Sequence, residues 1–98
     1  MGVTAKLALQ VYQRDNYTCV YCDSSGRTFE GWECLTIDHV DPNGGDHLEN
    51  LITACFPCNN FKNKQIWATR DEARTAIQRW KKERRDYWET HIRPTIRN

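Results

Sequence analysis

No run of apolar residues in this sequence approaches the roughly 20 that a membrane-spanning helix requires. The first twelve residues carry one lysine and lack both the apolar core and the small-residue cleavage pattern of an export signal. A cytoplasmic protein is therefore expected, with no membrane partner. Internal repeats and low-complexity tracts are also missing, so the 98 residues read as one domain, 1–98, with no room for a second core. Nor is there an even number of cysteines: the count is five, which together with the missing signal argues against a disulfide framework. A strong charge of either sign is absent as well, the formal total being +1. What is present is a globular composition, 39% hydrophobic with four Trp, four Tyr and three Phe. A chain this short is only marginally stable unless something staples it.

The charge is unevenly distributed. Residues 1–69 hold five Lys/Arg against eight Asp/Glu, and residues 70–98 hold nine against five. An acidic first part followed by a basic segment fits a cation site joined to a phosphate-attracting surface, although a solvated helix face explains the split equally simply. Along the chain, Thr4 to about Arg14 reads as a helix with Leu7 and Val11 on one face. Leu35 to His39 alternates as a strand and runs into the breaker Asp41-Pro42-Asn43-Gly44-Gly45, and Leu51 to Ala54 is a second short apolar run. The two runs suggest an antiparallel hairpin around a loop at 40–50. A short helix is expected from Cys58 to Lys64. A longer one, at about 70–91, is capped by Thr69 with Glu72 three residues on and carries Ala73, Ile77, Trp80, Arg84 and Tyr87/Trp88 as a stripe before Pro94.

Four cysteines fall in two Cys-x-x-Cys pairs, Cys19/Cys22 and Cys55/Cys58, while Cys34 stands alone. Two such knuckles close one tetrahedral site of four thiolates, which suits zinc, leaves no open position and is therefore structural. Metal binding would supply folding free energy that the small core lacks. An iron–sulfur centre uses the same ligands. A thioredoxin-like dithiol would need a βαβ pattern, which is absent.

Between the knuckles lie Asp38-His39 at the end of the first strand and Asn50 just before the second; Asn59 follows Cys58, and Lys62 comes three residues later. The segment LTIDHVDPNGGDHLENLITACFPCNNFKNK, residues 35–64, closely resembles the HNH endonuclease motif: an Asp-His pair, a downstream Asn-Leu and a C-x-x-C-[HN]-x-x-K stretch. The upstream NYTCVYC resembles the usual lead-in, so the likeness covers residues 14–64 and leaves 65–98 unmatched.

The resemblance implies an α+β fold, a ββα-metal core stapled by the four-cysteine zinc site and flanked by N- and C-terminal helices. It also implies a DNA endonuclease, acting most readily on duplex as a monomer or homodimer and leaving 5′-phosphate and 3′-hydroxyl ends. In that scheme His39 is the general base, an imidazole suiting the role because it titrates near working pH. Asp38 and Asn59 hold a catalytic Mg²⁺ or Mn²⁺, Asn50 orients the loop carrying His39, and Lys62 contacts a substrate phosphate. Alternation puts Asp38 and His39 on opposite faces of a regular strand, so both serve one site only if the strand bends there. The motif's final His is replaced by Asn59, which still binds hard cations but makes a transition-metal preference less favoured.

His47 reads as surface or DNA-facing and Asp41 as a turn residue. Arg70, Arg74, Lys81, Lys82 and Arg85 offer phosphate contacts that position DNA without reading its sequence. Two other functions use the same residues. A non-catalytic zinc module binding nucleic acid accounts for the cysteines and the basic segment but leaves Asp38-His39, Asn50 and Asn59 unexplained. A zinc-stapled protein adaptor would instead expose an apolar patch around Trp32, Trp67 or Trp88.

Overall fold

The computed structural model describes residues 3–63 and 65–97. Helix α1 spans Ala5–Arg14, opened by Thr4, whose hydroxyl accepts the Leu7 N–H, and it buries Val11. A short helix α2, Phe29–Glu33, is capped in the same way by Thr28 and has no counterpart in the expected elements. Strand β1, Leu35–His39, pairs antiparallel with β2, Leu51–Cys55, in the register Leu35↔Cys55 through His39↔Leu51. Helix α3, Phe56–Lys62, follows β2 without a loop. It begins two residues earlier than expected because Pro57 occupies its first turn, where a missing N–H costs nothing. It ends at Asn63, in the left-handed region at φ 48°; the expected terminus, Lys64, lies outside the described residues.

Helix α4, Arg70–Tyr87, starts at Thr69, which caps the Glu72 N–H. A π-helical turn at Trp88–Ile92 and a 3₁₀ turn at Arg93–Thr95 prolong it.

β2 is buried at all five positions whereas β1 is buried only at Leu35 and Asp38, because β2 is covered on both faces. Its free edge meets α1: Arg14 donates to the Leu51 carbonyl and to that of Leu48 just before the strand, and Asp15 accepts the Thr53 N–H. A core of Tyr21, Ile52, Ala54, Ala73 and Ile77 lies around four cysteines. Phe61 of α3 stacks on Trp80 of α4 with ring centroids 4.5 Å apart.

The expected aromatic stripe of α4 ends there. Tyr87 and Trp88 are 58% and 41% exposed, and no residue after Ile77 is buried among those described. The helix has simply run past the body of the protein. No helix among the described residues is long and apolar enough to cross a membrane.

Candidate active site and metal centre

The first knuckle forms because residues 18–25 fold back on themselves. Thr18 bridges to Ser25, Cys19 N–H donates to the Ser24 carbonyl, and Asp23 N–H returns to the Cys19 carbonyl. The loop then hangs on β2 through Val20 N–H to the Thr53 carbonyl. Arg74 of α4 clamps it from outside, donating to the Val20 carbonyl and to both Asp23 carboxylate oxygens. Arg74 is thus committed to the knuckle, and Lys82 pairs with Asp86, whereas both were expected to offer phosphate contacts. The second knuckle is the junction of β2 and α3.

Together the knuckles bring Cys19, Cys22, Cys55 and Cys58 to one point, with all four sulfur atoms within 4.8 Å of one another. Cys22 Sγ lies 3.7 Å from Cys55 Sγ. A tetrahedral zinc with Zn–S bonds of about 2.3 Å sets its sulfurs ~3.8 Å apart, so the donor set fits the ion. The charges agree. Hydrogen bonds from Cys19, Cys55 and Cys58 hold Cys22 far below the ordinary thiol range, while contacts with Cys19, Cys22 and Cys55 push Cys58 far above it. Four thiolates cannot coexist so closely unless a cation compensates them. Three of the four side chains are buried and only Cys22 is partly open, beside Ser24. Four sulfur donors would fill the coordination shell of a tetrahedral ion and leave no position open for a substrate. Cys34, the fifth cysteine, is exposed and apart from it.

The polar constellation sits at the loop end of the hairpin. Asp38 faces inward at 5% exposure and accepts the Tyr21 hydroxyl at 2.7 Å. Burial, reinforced by the Asp38 charge, pushes the Tyr21 phenol well above its ordinary range, so it stays a proton donor. Lys62, expected to reach a substrate phosphate, is 2% exposed. Its ammonium donates to the His39 carbonyl at 2.9 Å and lies 3.3–3.4 Å from the two Asp38 oxygens. α3 packs on β1 and carries this side chain underneath the hairpin, which corrects the phosphate role.

His39 is half-buried and still pairs with Leu51, so the ladder runs to the last residue of β1. The bend comes at the breaker Asp41-Pro42, as the sequence suggests. Val40 N–H still bonds the Asn50 carbonyl, and the chain turns only at Asp41, whose carboxylate accepts the Asn43 N–H.

Asn50 organises that turn. Buried to 7% exposure, it accepts the Asp41 N–H and donates to the Asp41 and Gly45 carbonyls, each at 2.9 Å. All three contacts are to backbone of the loop that follows His39. Asn59 is half-buried in α3 directly after Cys58, and among the described residues no hydrogen bond joins its side chain to Asp38 or His39. His47 is exposed and turned onto the Gly44 carbonyl.

One residue of the site has no sequence signal. Asp46, seven positions after His39 in a polar loop, places Oδ1 2.6 Å from His39 Nε2. Only the folded loop brings the two together.

A family model described as HNH endonuclease matches residues 19–65, a span that starts at Cys19, the first of the four clustered cysteines, and ends just after α3. No curated protein and no solved structure matches the chain.

Proposed function

On the premise that this chain carries an HNH endonuclease domain over residues 19–65, we propose that it is a metal-dependent DNA endonuclease with His39 as general base. Nuclease chemistry on nucleic acid follows from the domain; the substrate, metal and residue roles are inferences from chemistry. The observation that carries them is the support given to one spot. Asp38 and His39 are consecutive at the end of β1, just before the turn at Asp41 that would let both serve one substrate; Lys62 holds the His39 carbonyl from below, and Asn50 holds the following loop with three bonds. A pair so held keeps its geometry as substrate arrives, which is what general-base catalysis demands.

In this scheme a half-buried imidazole at His39 takes the proton from a water attacking phosphorus, a contribution of about 10²- to 10⁴-fold. Asp38 and Asn59 offer one carboxylate and one amide oxygen, a hard donor set suited to Mg²⁺ or Mn²⁺. Asp38 already serves Tyr21 and Lys62, yet a carboxylate has about four lone-pair positions, so an ion fits beside them. When bound, the ion supplies charge neutralisation at the phosphate and at the leaving 3′-oxygen. The nearby Lys62 charge makes that ion weakly held until a phosphate adds its own ligands. The expected products are 5′-phosphate and 3′-hydroxyl ends. With one active site per chain, a single encounter cuts one strand.

The test is nicking of supercoiled plasmid by zinc-loaded protein with Mg²⁺ or Mn²⁺ added or omitted, beside His39→Ala. Omission is preferable to chelation, which also strips the cysteine site. Relaxed plasmid that depends on the added ion and disappears in the variant supports the reading. Intact plasmid across all conditions, from folded and zinc-loaded protein, returns the chain to the non-catalytic zinc module.

A further inference from the structure

We infer that Asp46 is the positioning residue of the site: it fixes the neutral His39 imidazole as its Nε2–H tautomer and leaves Nδ1 as the nitrogen that accepts the water's proton. This rests on His39 being the general base and adds which of its nitrogens acts, and why. His39 Nε2 and Asp46 Oδ1 are 2.6 Å apart. An ionised carboxylate only accepts hydrogen bonds, so the contact requires the proton on Nε2. A neutral imidazole carries one N–H, so its lone pair is then on Nδ1. The same bond stops the ring from flipping, which would carry that lone pair away from the substrate.

Asp46 is itself held in place. The Gly45 carbonyl accepts from Asn50 Nδ2, the Gly44 carbonyl lies 2.7 Å from His47 Nε2, and the His47 carbonyl accepts the Asn50 N–H. Gly45 has φ 86°, a left-handed conformation that side chains disfavour. At Gly44 a Cβ would come within 2.7 Å of Asn50 Nδ2, so the loop lies directly against that amide. Force is thus transmitted from buried Asn50 to the loop, from the loop to Asp46, and from Asp46 to the His39 ring. This gives Asn50 a reason to be an amide with both of its ends used, although it makes no hydrogen bond to His39 itself.

Solvent access makes the idea separable from folding. The His39 and Asp46 side chains are 33% and 46% exposed, and an ion pair so open contributes little to stability. Asp46→Ala is therefore expected to fold and to load zinc like the parent.

The experiment combines plasmid nicking by the full chain with nitrogen-15 NMR of its histidines, comparing the parent with His39→Ala, Asp46→Ala and Asp46→Glu. In the parent, the His39 spectrum is expected to show a protonated Nε2 and a bare Nδ1. Asp46→Ala should give mixed tautomers and a kcat lower by about 10- to 100-fold, with KM within about twofold. Asp46→Glu, which keeps the carboxylate, should restore part of the rate and the tautomer. A bare Nε2 in the parent, or unchanged kcat in Asp46→Ala while His39→Ala is dead, overturns the role of Asp46 and leaves His39 as base. Nicking by His39→Ala overturns the general-base reading and with it the assignment of Nδ1 as the base.

Discussion

The Lys62 ammonium lies 3.3 Å from an Asp38 carboxylate oxygen, with only 2% and 6% of the two side chains exposed. Two charges withdrawn from water in this way depend on one another, because either alone would be left without compensation. The same ammonium also bonds the His39 carbonyl, so the lysine acts as a strut beneath the proposed catalytic pair.

Lys62→Met is therefore expected to destabilise the zinc-loaded protein by about 3–5 kcal/mol, the cost of leaving one buried partner of an ion pair alone. Tyr21→Phe removes one hydrogen bond to the same carboxylate and should cost about 1.5–3 kcal/mol. Urea unfolding measures both. A Lys62→Met protein as stable as the parent, but weak in DNA binding, would put the lysine back on the surface.

Loss of the metal should be felt by the whole chain. Removing zinc, or Cys58→Ser, is expected to abolish cooperative thermal unfolding, while Cys34→Ser leaves the transition in place. Protons compete with zinc for thiolate sulfur, so acidification should release the ion; a zinc-sensitive dye monitors that release. Retention of a sharp transition by the zinc-free protein would show that the core suffices without its staple.

Asp15 joins α1 to β2 and sets a second pH response. Burial raises its pKa, but the Arg14 guanidinium and the Thr53 N–H outweigh that and hold it below the ordinary 3.8. A depressed folded value gives stability that is present above the unfolded pKa and lost as pH falls through the folded one. Asp15→Asn should accordingly lower the melting temperature at neutral pH and flatten its decline below about pH 4. Parallel acid profiles for variant and parent would refute this assignment.

Lys81 and Arg85 border a groove with Cys22, Ser24 and Gln78, and no acidic side chain pairs with either among the described residues. We propose that they meet the DNA backbone flanking the cleavage site. For Lys81→Ala with Arg85→Ala, the slope of log affinity against log salt should shrink by about 1.8, or roughly 0.9 per lost phosphate contact. KM should rise with kcat little changed. An unaltered slope would make this face an ordinary solvated one.

The local grammar of the fold is legible in the sequence. Thr4 and Thr69 cap helices because their hydroxyls replace missing carbonyl partners, a signal contained within three or four residues. Both strands were readable from short apolar runs, and the loop at 40–50 from its turn residues. Helix α2 was not, since five residues carrying Gly31 between two glutamates show no helical stripe.

What the sequence by itself determined is the chemistry on offer: four cysteines at knuckle spacing, an Asp-His pair at a strand end, and amides at Asn50 and Asn59. Spacing along one element dictates which residues share a face, and ligand type dictates which ion suits them. Tertiary structure alone decided what lies opposite each face. It turned Lys62 inward under β1, committed Arg74 to Asp23, left Trp88 in solvent and swung Asp46 onto His39. Those outcomes depend on the packing of segments far apart in the chain, and a side chain's own neighbours carry no record of that packing.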